Sequence, residues 1–138
     1  MTIGDVITRV GAVLEASPFR CVETDDPFSF DRTAQTAIDG AYRIEAEMTG
    51  REGYLGLSCL EMWAVSVWLA RAATRTPNTV RDALTVTVSS LSAALTRDAL
   101  ASGDYHVADV SGEVQWPDGS DDYLVGRMGA QLEFDRAL

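Results

Sequence analysis

Residues 57–70 form a run that is apolar on both sides of a β-strand, and no other feature constrains the fold as strongly. Side chains alternate between the two faces of a strand, so a strand with one wet face carries polar residues at every second position. Here both alternating sets are mainly apolar, which is typical of a central strand covered on each side. One set is Leu57, Cys59, Trp63, Val65, Val67 and Leu69, and the other is Met62, Ala64, Ser66 and Trp68. The second face therefore needs a cover, which is either a long loop or another subunit.

Three further strands are indicated by alternating polarity. Apolar residues alternate with charged ones over 42–48, and residues 49–53 have the composition of a hairpin connection. Two more strands are predicted near 105–116 and 123–135, with a turn at 117–119 between them. The apolar set of the last strand is Leu124, Met128, Ala130, Leu132 and Phe134.

Two amphipathic helices are predicted from apolar residues at helical spacing. The first covers about 3–16 and follows a capping threonine, Thr2. The second begins at Pro77 and ends before Gly103. Its β-branched stretch at 85–88 opposes this prediction, because such side chains lose rotamer freedom in a helix.

The element order is helix, two strands, helix, two strands, which predicts one α+β domain over residues 1–138. We expect an antiparallel, mostly four-stranded sheet with both helices packed on one face. A long loop at about 18–39 contains two aromatic anchors, Phe28 and Phe30. Long loops in compact domains are often functional, so we expect this one to order against a neighbouring subunit or another partner.

The chain has 21 acidic and 11 basic side chains, every base being arginine, and a formal charge of −10. Phosphate contacts dominate nucleic-acid affinity, so this balance opposes binding to the outside of DNA and disfavours a transcription factor. No run approaches the roughly 20 apolar residues needed to cross a bilayer, and residues 1–5 do not open an export signal. We therefore expect neither a membrane segment nor an export signal.

Residues that carry most catalytic and metal chemistry are scarce. His106 is the only histidine, and Cys21 and Cys59 are the only cysteines, which we expect to be reduced thiols. No Gly-x-Ser-x-Gly elbow and no zinc-ligand spacing is present. The acidic run 118–122 lacks the order of a helix–loop–helix calcium site, and the glycines at 50–56 are not followed by a phosphate-binding Gly-Lys-Ser/Thr. The sequence therefore predicts no catalytic residue, no metal, no cofactor and no enzymatic activity.

Acidic side chains recur on the polar sides of three predicted strands. Alternation groups five of them, with Arg43 and Arg127, on a sheet surface that the helices do not cover. The five acids are Glu45, Glu47, Glu113, Glu133 and Asp135. A carboxylate pair such as Glu45 and Glu47 also occurs in glycosidases, but alternating acids are typical of any exposed strand face.

Two tryptophans of the central run, Trp63 and Trp68, are five positions apart and therefore point to opposite faces of a strand. Both cannot lie in the same core, so one of them is expected to contact a partner or the long loop. Phe28, Phe30 and Trp68 are accordingly the candidates for a subunit or partner interface.

This arrangement resembles the tail terminator, or tail completion, proteins of long-tailed phages and gene transfer particles. The features that carry the resemblance are the short N-terminal helix, the long loop, the apolar strand at 61–68, the helix opened by Pro77 and the closing hairpin. They cover nearly the whole chain. The resemblance implies a structural virion protein that forms a six-membered ring, caps the head-proximal end of the tail tube and ends tube polymerisation.

The same resemblance implies the partners. These are further copies of the chain, the tail tube protein and the head–tail connector protein, with DNA passing through the channel without specific binding. The five acids are then candidates for the channel lining, since an acidic wall repels DNA. The chain is expected in the particle's tail, after assembly in the bacterial cytoplasm.

Two alternatives stay open. The chain is another head–tail joining or tail tube component, or it is a small-ligand-binding or enzymatic α+β domain whose two-sided strand lines a pocket. A ring in solution favours assembly, whereas a monomer that binds a small molecule favours the pocket.

Overall fold

A computed structural model describes residues 2–16, 20–23, 39–54, 58–72, 77–115 and 123–137. The fold class is α+β, as predicted. Its elements are α1 (Ile3–Glu15), β1 (Val22–Glu23), β2 (Ala41–Tyr54), β3 (Ser58–Ala72), α2 (Pro77–Ser102), β4 (His106–Gln115) and β5 (Tyr123–Ala137).

The five strands form one sheet in the order β1-β2-β3-β5-β4, so β3 is the central strand, in agreement with its apolar faces. All neighbours are antiparallel except β1 and β2, which are parallel. The predicted four-stranded antiparallel sheet is therefore wrong in detail. The additional strand lies within the predicted loop at 18–39, where two residues have no periodicity and pairing with β2 alone defines the strand.

Strand β2 is longer than predicted. Residues 49–53 do not connect two strands but continue β2, with an irregularity in its pairing between Met48 and Gly50. A Cβ on Gly50 would lie 2.6 Å from Cε of Met62 on β3, so this glycine allows close approach across the strand pair. Glycine indicates turns and bulges alike, which explains the wrong prediction.

Helix α1 starts at a capping box. The Thr2 hydroxyl accepts a hydrogen bond from the backbone N–H of Asp5 at 3.3 Å, and the Asp5 carboxylate accepts one from the backbone N–H of Thr2 at 2.8 Å. The Thr2 hydroxyl also donates to the Asp5 carboxylate, at 3.1 Å, and the hydrogen bonds from the Thr2 backbone N–H and hydroxyl lower the pKa of Asp5. The helix buries Val6, Val10 and Leu14, which are at helical spacing.

Helix α2 continues for 26 residues through the β-branched stretch at 85–88. The hydroxyls of Thr85 and Thr87 donate to the carbonyls of Arg81 and Ala83 one turn earlier, which satisfies these polar groups within the helix. Tertiary packing supplies the remaining stability of the helix here, because Leu84 and Val88 are buried on the sheet side.

Both helices pack on the same face of the sheet and share one hydrophobic core with it. Burial alternates over residues 64–69 of β3 and 130–135 of β5, as the sequence predicts. The core includes Val6, Val10 and Leu14 of α1, Leu84, Val88, Leu91 and Leu95 of α2, Val65, Val67 and Leu69 of β3, and Leu124, Met128, Leu132 and Phe134 of β5.

Helix α2 lies unusually close to β5 at Gly126. A Cβ added there would lie 2.9 Å from Cγ of Leu84 and 3.0 Å from Cγ2 of Val88. We predict that Gly126→Ala lowers the free energy of unfolding by about 1–3 kcal/mol, because the helix or its side chains must shift. Gly129→Ala is the matched control on the other face of β5, where the nearest atom is the Ser111 hydroxyl at 3.0 Å, which can rotate away. Urea denaturation measures both variants, and an equal loss would contradict the close helix packing.

Two buried tyrosines tie the helices to the remaining structure. The hydroxyl of Tyr42 on β2 donates to the Glu15 carboxylate at 2.8 Å, and that of Tyr105 donates to the Asp98 carboxylate at 2.6 Å. Asp98 on α2 also forms an ion pair with Arg9 on α1 at 3.1 Å. Burial, reinforced by the neighbouring carboxylate, raises the pKa of both tyrosines well above the ordinary value.

These tyrosines predict an alkaline loss of stability. Because the pKa of each is higher in the folded than in the unfolded chain, the free energy of unfolding is unaffected below about pH 10 and falls above it, at up to about 1.4 kcal/mol per pH unit per tyrosine. The chain contains no lysine, so lysine titration does not obscure this range. Burial also raises the pKa of Cys21, so this thiol too lowers the free energy of unfolding as the pH rises, starting at somewhat lower pH than the tyrosines.

We expect the double variant Tyr42→Phe, Tyr105→Phe to lose most of the decline above pH 10 while starting from a lower stability at pH 8. Urea denaturation at pH 8, 10 and 11 provides the comparison. An unchanged slope in the variant would show that other groups control the alkaline transition.

Candidate assembly surface

The side of the sheet opposite α1 and α2 is here called the open face, since neither described helix covers it. Strand register assigns its members, because directly paired residues point to the same side. They are Arg43, Glu45, Glu47 and Glu52 of β2, Leu60, Met62, Ala64, Ser66, Trp68 and Ala70 of β3, Tyr123, Val125, Arg127, Gly129, Gln131, Glu133 and Asp135 of β5, and His106, Asp109, Ser111 and Glu113 of β4.

The structure brings the five acids singled out from the sequence to this one surface. Two more, Glu52 and Asp109, join them, so the described part of the open face has seven carboxylates and two guanidinium groups. Glu52 was missed because residues 49–53 were read as a connection. Asp109 precedes Ser111 by two positions on β4, so the alternation that placed Glu113 also contains the signal for it.

Only a small part of this negative charge is neutralised by neighbours within the described residues. Arg43 pairs with Glu45 at 2.8 Å, and Arg127 lies 3.9 Å from Glu113. Both ion pairs are substantially exposed, so water screens them and each adds little stability. The surface therefore keeps a strongly negative potential.

The open face also has an apolar end. Ala70, Tyr123 and Val125 are buried in a second hydrophobic cluster, and the half-buried Trp68 packs against it. The guanidinium of Arg127 lies over the Trp68 ring at 5.1 Å from its centre, a cation–π arrangement. Trp68 is thus the tryptophan that does not belong to the main core.

The other residues with predicted roles have different positions. Trp63 is on the helix side, packs against the main core and donates from Nε1 to Glu61 at 2.6 Å. The two tryptophans therefore lie on opposite faces of β3, as predicted. Phe28 and Phe30 lie outside the described residues, as does most of the predicted loop.

The middle of the open face is lined by small residues and forms two shallow grooves on either side of Arg127. One, of about 310 Å³, borders Asp109, and the other, of about 580 Å³, borders Glu45 and Glu47. Ala64 and Ser66 line both. A broad partner can therefore approach the sheet closely between two acidic borders.

Neither cysteine belongs to this surface. Cys21 and Cys59 are buried and form no disulfide, and each lies near a guanidinium: Arg71 donates to Cys21 at 3.6 Å, and Arg51 donates to Cys59 at 3.3 Å. Within the residues that the structure describes, no group of three or more histidine, cysteine, aspartate or glutamate side chains is arranged to hold a metal ion.

Comparison with protein-family models and with curated proteins finds no match for this chain. No helix in the described part is long and apolar enough to span a bilayer. Function is therefore inferred from the open face itself.

Proposed function

We propose that this chain is a structural assembly subunit of a phage-like tail, a tail terminator that forms a closed homo-oligomeric ring, most simply a hexamer. The observation that carries the proposal is the open face, a side of the sheet that no described helix covers and that has an apolar end and a strongly acidic middle. The role is structural and not enzymatic, and it requires no cofactor.

The apolar end supports association between copies of the chain. Trp68 is a large aromatic side chain that stays half-exposed beside buried Tyr123 and Val125. Aromatic residues at the edge of a packed cluster are typical of interface hot spots. In a ring, each copy contributes the same two surfaces to its neighbours, so one apolar contact repeated around the axis closes the assembly.

The acidic middle supports a role as a channel wall. If the open face is directed toward the axis, each copy adds the same seven carboxylates and two guanidiniums, so the negative potential in the lumen grows with the number of subunits. Such a wall repels the phosphates of passing DNA and keeps it from adhering. The ring would thus let the genome pass while it ends the tail tube and joins it to the head connector.

We predict that the chain forms a ring whose stability depends on Trp68. Native mass spectrometry should show a closed oligomer for the wild type. Trp68→Ala should weaken it by at least about 2 kcal/mol per contact, since it removes the aromatic anchor. Val86→Ala is the matched control, because Val86 is 64% exposed on α2 and lies away from the open face. A wild-type monomer, alone and with its tube protein, would contradict the ring.

A second prediction concerns the acidic middle. Replacing Glu45, Glu47 and Glu133 by lysine should leave the fold intact and make the ring bind double-stranded DNA in a salt-dependent manner. The control replaces three exposed acids off the open face, Glu23, Asp82 and Asp104, and carries the same change of +6 on the −10 of the wild type.

Affinity is measured by fluorescence anisotropy of labelled DNA between about 50 and 200 mM salt. Stronger binding by the open-face variant alone places these acids along the DNA path. Equal binding by both variants would mean that net charge alone determines the affinity for DNA. The channel assignment would then be wrong, but the ring would not be contradicted.

A further inference from the structure

Strand β4 ends the sheet on one side, and no described residue pairs with its outer edge. The strand is ten residues long, and its described side chains are exposed or half-buried, with Val110 43% exposed. An edge of this kind presents unpaired backbone N–H and C=O groups that can template another strand.

Proteins usually protect such an edge from pairing by proline, charged side chains, a bulge or short length. Strand β4 contains no proline, and its charged residues, Asp109 and Glu113, are both acidic. Its single pairing irregularity lies between Val107 and Asp109, near its start, and the ladder with β5 then runs without interruption from Asp109 to Gln115. Over these seven residues, the outer edge of β4 therefore has no strand partner among the described residues.

A groove runs along the helix side of this edge, between β4 and α2. Its volume is about 440 Å³, and its lining includes Val88, Val110 and Val114 with the polar residues Arg81, Thr85, Ser89 and Ser92. On that side of an added strand, every second side chain would enter the groove. The lining suits aliphatic side chains of valine or leucine size.

The other side of the edge is acidic. Asp109 and Glu113 lie on the open face of β4 with Ser111 between them. Oppositely charged side chains stabilise neighbouring strands, and like charges directly opposite destabilise them. An added strand is therefore favoured when its residues on this side are basic.

We infer that the β4 edge is a docking site for an extended segment of a partner protein whose sequence alternates aliphatic and basic residues. The segment adds as a sixth strand, with its aliphatic side chains in the groove against α2 and its basic side chains beside Asp109 and Glu113. This site does not depend on the ring proposed above, and it uses a different surface from the apolar end around Trp68.

A second copy of this chain does not fit the edge. Beyond its described pairing with β1, strand β2 carries Glu45, Glu47 and Glu52 on the open face, so pairing it with β4 would bring these acids beside Asp109 and Glu113. Two β4 edges paired antiparallel about Ser111 would place Asp109 opposite Glu113 in both directions. The charge pattern therefore selects a basic partner from outside the chain.

The probe is a capped synthetic peptide of four Arg-Val repeats. Three peptides control for charge and for backbone pairing: the block sequence of four arginines followed by four valines, four Glu-Val repeats, and the Arg-Val peptide with every backbone amide N-methylated. We expect the alternating Arg-Val peptide to bind at least about tenfold more tightly than each control. Hydrogen exchange should show new protection within residues 109–115, at every second amide, because the alternate N–H groups point toward β5.

Two protein variants test the acids. Asp109→Arg with Glu113→Arg should weaken binding of the alternating peptide at least about tenfold, whereas Glu23→Arg with Asp82→Arg, which makes the same change in net charge, should weaken it less than about threefold. Because Glu113 lies near Arg127, Asp109→Arg alone serves as a milder variant should the double variant be unstable. No binding of the alternating peptide, equal binding of all peptides, equal losses in both variants, or protection outside β4 would each overturn the docking site.

Discussion

The structure depends on the central strand β3, whose two faces both need cover. On the helix side this need is met, because α1 and α2 enclose Val65, Val67 and Leu69 in the main core. On the other side Ala70 is buried at one end, Trp68 beside it is half-buried, and neither described helix covers this face. The open face thus has an apolar end and an acidic middle, and both proposed roles of that face depend on this division.

Much of the fold could be predicted from the sequence where the pattern is long. The alternation along β3 and β5 predicted both faces correctly, because burial there depends only on the strand period. Strand β1 could not be predicted, since Val22 and Glu23 are extended through their pairing with Ala41 and Tyr42, which a local pattern does not encode. Residues 49–53 were misread because Gly50 lies at an irregularity in pairing and not at a turn.

The candidate surface was predictable to a similar degree. Grouping acids by alternation identified the face, but it could not supply register between strands, so it could not place Arg127 over the ring of Trp68 or beside Glu113. These contacts join residues more than a dozen positions apart, and only the assembled sheet defines them. The groove between α2 and β4 was missed for the same reason, because it requires knowing which strand α2 packs beside.

Charge also determines which surfaces of this chain can meet a second copy. Acids lie on the open face of β2, at Glu45 and Glu47, and of the edge strand β4, at Asp109, so pairing of these strands between copies brings like charges together. In the proposed ring, contact between copies is therefore assigned to the apolar end, where the half-buried Trp68 offers aromatic surface without a carboxylate. The same acids that would keep DNA from the channel wall thus also direct self-association away from the sheet edges, and they leave the β4 edge to a partner of opposite charge.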